Sequence, residues 1–173
     1  DRPLGRACGN ALEVEESIHG LAGEAPADLM EVTYALGVEM LLAAGVEADR
    51  AAGRRRLEQA IRSGRALETL ARIIEAQGGT PGVVEDPGLL PQARAVEVFA
   101  APDSGVVSQV EPRIIGRAIV AMGGGRRVIS DAVDPTVGFV ITVKPGDRVE
   151  AGQPIAAVFA NMTFKMFVVL ANA

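Results

Sequence analysis

The 173-residue sequence has no tryptophan, one tyrosine, one histidine and one cysteine. Because Cys8 is alone, an internal disulfide is excluded, and a reducing, cytoplasmic location is expected. One cysteine and one histidine, His19, are too few for a metal cluster or a convincing nucleophilic pair. No apolar run reaches the roughly 18 residues of a membrane-spanning helix. With 3% aromatic and 49% hydrophobic residues, the core is expected to be aliphatic.

The charge balance argues weakly against nucleic acid as the main partner. The formal net charge is -5, and 23% of the residues are charged, as in ordinary globular proteins. Arg54, Arg55 and Arg56 form the densest basic run, but acidic residues surround them in a predicted helix. A solvated helix face is therefore favoured over a nucleic-acid patch.

Residues 10–91 have the pattern of four helices joined by short loops. Asn10 is a candidate cap for ALEVEESIHGL, and Pro26 opens a second helix that ends at Gly45. EADRAAGRRRLEQAIRSG and RALETLARIIEAQGG follow, each ending in glycine as left-handed caps require. The second helix has few polar gaps, so burial is predicted for Leu36, Met40, Leu41 and Leu42.

After residue 95 the pattern changes to the two-residue period of strands. VEVFAA, GVVSQV, GFVITV and PIAAVFA are predicted strands, with FKMFVVLA as a further candidate and RIIGRAIVAMGG as a helical interruption. A boundary near residues 90–94 predicts two domains, 1–92 and 93–173. The predicted class is α+β, with a helical segment packed against a C-terminal mixed sheet.

The glycine run in AMGGGRR has two interpretations. Gly123, Gly124 and Gly125 expose backbone N–H groups, and Arg126 and Arg127 add positive charge that could bind a phosphate. However, the run ends a predicted helix and no Lys-Ser or Lys-Thr follows, so this is not a P-loop. A helix C-cap followed by a mobile loop is the favoured interpretation.

The segment VKPGDRVEAGQPIAAV resembles the hairpins of small domains that carry biotin or lipoyl groups. A carrier presents a lysine at an exposed hairpin tip, and Lys165 beside Met166 is the one candidate. Its distance from Gly152 is a few residues too long, and phenylalanines flank it at 164 and 167. We therefore expect this chain to share the hairpin architecture of these domains and not their carrier chemistry. A carrier or scaffold module remains the alternative function.

Several strings together resemble the pyrimidine nucleoside phosphorylases. They are PLGRACGNALEVEESI, L-x-G-x-x-P-x-D-L-x-E-V-T-x-A-L-G-x-E-M-L, AQGG, LLPQA, AMGGGRR, D-P-x-V-G-F and GDRVEAGQPIA. The resemblance covers residues 1 to about 160, and NMTFKMFVVLANA departs from the family pattern. The chain opens with a loop leading to a helix, and the resemblance places this loop after the family's central strands. We therefore expect an N-terminal half to be missing.

The resemblance implies part of a homodimeric pentosyltransferase that uses phosphate to release a pyrimidine base and a pentose 1-phosphate. The family's C-terminal domain is β-sandwich-like and hammerhead-shaped, and its base- and phosphate-binding residues lie in the absent half. No catalytic or substrate-binding residue is therefore assigned here, and the chain alone is expected to be inactive. The AMGGGRR loop is a candidate for domain closure. The family's potassium site corresponds to the carbonyls of Leu4 and Ala7 and the acid Glu16, whose simpler interpretation is a solvated helix acid.

Overall fold

The computed structural model describes residues 2–161, which divide into two compact units. One unit contains residues 15–90, and the other joins the first 14 residues to the chain from Pro91 onward. The predicted boundary near residue 92 lies at this division, but the first residues group with the C-terminal sheet and not with the helices. The assignment of the chain to phosphorylase domains stays a prediction.

The helices occur where the sequence predicts them. Helix α1 (Asn10–Leu21) is followed by α2 (Ala27–Ala43), α3 (Arg50–Arg62) and α4 (Arg65–Ala76), and then by two 3₁₀ turns, Pro81–Val84 and Pro87–Leu89. The Asp49 side chain caps α3 by accepting a 2.8 Å hydrogen bond from the Ala52 N–H. Gly64 joins α3 to α4 with a φ of 76°, a left-handed conformation that favours glycine.

The predicted burial of α2 is wrong. Leu36 and Met40 are 61% and 71% exposed, Leu41 and Leu42 are partly buried, and Val38 is the buried residue of the helix. Within its own unit α2 packs chiefly on α3, where Gly37 lies against Leu57 and Gly53 against Val38. The small residues allow a close helix crossing on one side, and the remaining apolar side of α2 stays exposed.

The second unit is built on a four-stranded antiparallel sheet. Its strands are β1 (Ala7–Cys8), β2 (Ala95–Ala100), β4 (Gly138–Ile141) and β6 (Pro154–Ala160), in the spatial order β1-β4-β6-β2. A separate antiparallel pair joins β3 (Gly105–Val106) to β5 (Arg148–Val149). With five helices in the described chain, the α+β class is confirmed.

The core of this unit lies between the sheet and helix α5 (Pro112–Ala121). It consists of aliphatic and sulfur-containing side chains with one phenylalanine, as the composition predicts: Cys8, Met122, Val137, Phe139, Val158 and Ala160. From α5, Ile115, Ala118 and Ile119 pack against this cluster. The helix is amphipathic, because the three residues recur at three- and four-residue spacing.

Several strand predictions are corrected by the sheet. GVVSQV forms a strand over Gly105–Val106 alone, and the pairings between described residues are antiparallel where a mixed sheet was predicted. Strand β1 was not predicted, because two residues carry no recognisable period. The candidate strand FKMFVVLA and the candidate carrier Lys165 lie outside the described residues.

Candidate functional site

Three motifs that are distant in sequence meet at one junction in the sheet unit. Strand β1, from PLGRACGN, pairs with β4, from DPTVGF, with Ala7 opposite Val140 and Cys8 opposite Phe139. The backbones approach so closely that a Cβ on Gly138 would lie 2.2 Å from the Cys8 carbonyl oxygen. A Cβ on Gly9 would lie 2.5 Å from the Val137 carbonyl oxygen. Glycine is therefore required at both positions by close backbone approach.

Hydrogen bonds fix the first turn of α1 at this junction. The Ala11 N–H donates to the Pro135 carbonyl at 2.9 Å, and the Gly9 N–H donates to the Glu13 carboxylate at 3.0 Å. Asn10, predicted as a helix cap, instead donates from Nδ2 to the Gly124 carbonyl at 3.1 Å. The cap prediction for Asn10 is therefore corrected, since its side chain links α1 to the glycine run of AMGGGRR.

The glycine run forms a packed helix end. Gly123 has a φ of 96°, and its carbonyl accepts a 2.9 Å hydrogen bond from the Asp134 N–H. Gly124 donates to the Ile119 carbonyl, and a Cβ there would lie 2.6 Å from Ile119 Cγ2. This geometry agrees with the helix C-cap interpretation, because the glycines lie against the core.

The arginines that follow are exposed, and the backbone beside them is occupied by a carboxylate of the same chain. Asp131 accepts hydrogen bonds from the N–H groups of Arg127 at 2.9 Å and Val128 at 3.1 Å. These two bonds, that of Val128 first, lower the pKa of Asp131. The Arg126 Nε donates to the Asp131 carbonyl at 3.2 Å. Two N–H groups beside the glycine run, where the less favoured interpretation placed a phosphate, therefore already have an anionic partner.

Asp134 organises a second polar network at the same junction. Its carboxylate accepts from the Thr136 N–H at 3.0 Å, the Thr136 hydroxyl at 2.7 Å and Asn161 Nδ2 at 2.6 Å. Asn161 in turn accepts from the Arg94 N–H at 2.9 Å. Partial burial raises the pKa of Asp134, but the hydrogen bonds from Thr136 and Asn161 outweigh it, so the pKa is lowered. The network ties the segments preceding β2 and following β6 to DPTVGF.

Sequence reasoning missed this network because its members are far apart in the chain. Asp134 and Thr136 carry one local signal, since an aspartate that accepts from the N–H two residues later is a common turn. Asn161 and Arg94 carry no such signal, because their bond depends on the register of β2 and β6.

The predicted potassium ligands are divided between the units. Leu4 and Ala7 belong to the sheet unit, and Glu16 lies in α1 at the start of the helical unit. Two carbonyls and a carboxylate are the oxygen donors that a hard cation takes, so the donor chemistry fits potassium. The described residues contain no cluster of three or more His, Cys, Asp or Glu that could form a metal site. The potassium site stays a prediction.

The remaining candidate residues have structural partners. His19 Nδ1 lies 3.2 Å from the Glu24 carboxylate, and Cys8 is buried in the core of the sheet unit. Arg54 binds Glu31 through two nitrogens and Glu58 through Nε, while its guanidinium carbon lies 4.1 Å from the Tyr34 ring centroid. Arg54 thus joins α2 to α3, which agrees with the helix-face interpretation of the arginine run.

Comparison with known proteins tests the family resemblance. Residues 106–170 match the family model described as the pyrimidine nucleoside phosphorylase C-terminal domain. The chain is 40% identical over 160 residues to a pyrimidine-nucleoside phosphorylase of Bacillus subtilis (strain 168), covering 92% of this chain and 37% of the relative. It is 41% identical over 163 residues to a thymidine phosphorylase of Burkholderia cenocepacia (strain HI2424), covering 93% of this chain and 37% of that relative. The resemblance to the pyrimidine nucleoside phosphorylases is confirmed.

The chain spans about 37% of the length of these curated phosphorylases. The family match extends to residue 170 and so includes most of the final stretch that was expected to depart from the pattern. Among the described residues, each strand and helix of the sheet unit that begins after Gly105 lies within the match. Across residues 2–161, none of the helices combines the length and hydrophobicity needed to span a membrane.

Proposed function

We propose that this chain is the C-terminal part of a pyrimidine nucleoside phosphorylase. The parent enzyme would transfer the pentose of a pyrimidine nucleoside to phosphate, releasing the base and a pentose 1-phosphate. The observation that carries the proposal is identity of about 40% across more than nine-tenths of the chain to proteins with this name. The carrier alternative is not favoured, because these relatives are phosphorylases.

The chain would act in this reaction as a supporting part, not as the catalytic part. Phosphorolysis requires a phosphate oxygen to be held against the anomeric carbon while the departing base is stabilised. In the described residues, His19 pairs with Glu24, Cys8 is buried, and Asp131 occupies the N–H groups beside the glycine run. The groups that bind phosphate and base would therefore come from the rest of the enzyme.

The junction would give the rest of the enzyme a fixed surface to close against. Gly124 packs against Ile119, Gly125 against Val120 and Gly123 beside Asp134, whereas Arg126 and Arg127 are exposed. Closure would therefore involve the arginine side chains, with the glycines as a rigid base. Replacing both arginines with alanine in an assembled enzyme is expected to alter kcat and KM together, since closure affects both.

The remaining features of the parent rest on the same resemblance and are proposals of the same kind. Residues 1–92 would belong to its α/β domain and residues 93–173 to its β-sandwich-like, hammerhead-shaped C-terminal domain. The parent would be a cytoplasmic homodimer without a nucleic-acid or membrane partner, with Leu4, Ala7 and Glu16 contributing to a potassium site. A rise in activity with potassium but not with lithium, lost in Glu16→Gln, would support that site.

A chimeric enzyme tests the proposal. The aligned C-terminal part of the Bacillus subtilis phosphorylase would be replaced by this chain, and release of thymine or uracil would be measured with phosphate present. We expect phosphate-dependent base release, because the two sequences are 40% identical over the exchanged part. A matched chimera carrying Gly138→Ala should lose activity, because the substituted methyl group would disrupt the junction. A folded parent chimera with no base release would contradict the proposal.

A further inference from the structure

An open groove of about 1130 Å³ runs along α5 on the sheet unit; we call it the α5 groove. Its floor is the sheet face on which α5 packs, and it is lined there by Phe99, Phe139, Ile141, Ala156 and Val158. Ala156 pairs with Phe99 on one side and with Ile141 on the other, so these three form one row across the sheet. The floor is therefore continuous and apolar.

The size of α5 leaves this floor partly uncovered. A ten-residue helix is about 15 Å long and, with its side chains, about 10 Å wide. Four strands at a spacing of about 4.8 Å make a sheet roughly 14 Å wide, before the side chains of the edge strands are added. The α5 residues Ile115, Ala118 and Ile119 pack against the core cluster, while Phe99 and Ile141 of the floor are only partly buried. About 4 Å of the width of the sheet is therefore left beside α5, so a second helix would contact this strip with its apolar side chains and would extend past the edge of the sheet.

The rim of the α5 groove is positively charged. Arg113 and Arg117 lie one turn apart on α5, and Arg127 follows the glycine run. None of these guanidinium groups forms an ion pair with a carboxylate between residues 2 and 161. Ile114, between the two helical arginines, is 65% exposed. A partner that fits this surface has an apolar face and acidic flanks.

We propose that the α5 groove binds a helical segment of the remaining phosphorylase polypeptide. That segment has apolar residues at three- and four-residue spacing, and its flanks carry Asp or Glu opposite Arg113, Arg117 and Arg127. This inference rests on the proposed function, in which most of the parent's length lies outside this chain. The helix-in-groove mode supplies apolar burial, and the charge-assisted pairs fix the register.

The composition of the last residues argues against the nearest alternative. Residues 162–173 are apolar but contain one lysine and no acid. They offer no partner to the three arginines, whereas an acidic amphipathic segment does. The positive charge of the rim therefore favours binding of an acidic segment from elsewhere in the parent over binding of residues 162–173.

Peptide binding tests the inference directly. Labelled peptides of about 20 residues would tile the part of the Bacillus subtilis phosphorylase that this chain does not match, and binding to the purified chain would be followed by fluorescence anisotropy. We expect binding by at least one peptide that combines acids with apolar residues at helical spacing. Arg113→Glu with Arg117→Glu should weaken its binding at least about tenfold, and Ile114→Asp should weaken it similarly.

A second double variant, Lys144→Glu with Arg148→Glu, is the matched control. It makes the same charge change at exposed positions that do not line the groove, so peptide affinity should stay within about twofold. Failure of every peptide to bind, or equal weakening by the two double variants, would overturn the inference. A concentration-dependent dimer that Ile114→Asp dissociates would also overturn it, because a second copy would then occupy the groove. If the chimeric enzyme is active, any of these three results would contradict the groove inference alone and would leave the proposed function intact.

Discussion

Replacing Gly138 with alanine would place a methyl group inside the β1–β4 junction. The added Cβ would lie 2.2 Å from the Cys8 carbonyl oxygen, 2.9 Å from Leu12 Cδ1 and 3.0 Å from Gly9 Cα. Two of these three atoms are backbone, so no side-chain rotation relieves the overlap. Strand β1 would have to move away from β4.

The expected cost follows from this geometry. Overpacking of a well-packed site costs about 1–3 kcal/mol, and the upper end applies where backbone must shift. Separation of the strands also endangers the 2.8 Å hydrogen bond from the Ile141 N–H to the Arg6 carbonyl, a further loss of about 1 kcal/mol. We therefore expect Gly138→Ala to lower the free energy of unfolding by about 3 kcal/mol or more.

Urea unfolding measures this loss, and Gly105→Ala is the matched control. A Cβ at Gly105 would meet no atom within 4 Å, so that variant should stay within about 0.5 kcal/mol of the parent chain. The single cysteine gives a local readout, because Cys8 is 7% exposed and lies in β1. Its reaction with a thiol reagent should accelerate in Gly138→Ala and not in Gly105→Ala. Equal stability and equal thiol reactivity in both variants would refute the described close approach.

Three further predictions concern the polar networks. The lowered pKa of Asp134 means that its carboxylate stabilises the fold above the unfolded value of 3.8, and that this stabilisation is lost as pH falls through the lower folded value. Urea midpoints should therefore drop more steeply below about pH 4 in the parent chain than in Asp134→Asn, and equal slopes would exclude the network as the cause. Asp131→Ala should speed amide exchange at Arg127 and Val128, because both N–H groups lose their acceptor, while exchange in α5 stays unchanged. Arg54→Ala should lower the urea midpoint of the helical unit more than Arg55→Ala, since Arg54 joins Glu31, Glu58 and Tyr34; the reverse order would contradict the described pairing.

The helices were predictable because their signals are local. Glycines with left-handed dihedral angles follow or separate helices at Gly45, Gly64 and Gly78, and Asp49 caps α3 as its side-chain chemistry allows. The motifs in the sheet unit could be recognised in the sequence, but their meeting could not be derived from it. Gly9 and Gly138 are 129 positions apart, and only the pairing of β1 with β4 shows why both must be glycine.

Burial was the least predictable property. The apolar residues of α2 indicate a helix that is covered on most sides, yet Leu36 and Met40 remain exposed in the described chain. Sequence hydrophobicity shows that a surface favours burial, but it does not show which element covers it. The same is true of the α5 groove, whose floor and arginine rim belong to different segments and become one surface through the fold.

Base release by the isolated chain tests the central claim most directly. The purified chain would be incubated with thymidine or uridine and phosphate, and free base would be separated and quantified against a blank without protein. We expect no release above the blank, since the groups that hold phosphate and base would lie in the rest of the parent enzyme. Phosphate-dependent base release by this chain alone, proportional to its concentration, would show that the active site lies within these 173 residues and would contradict the account.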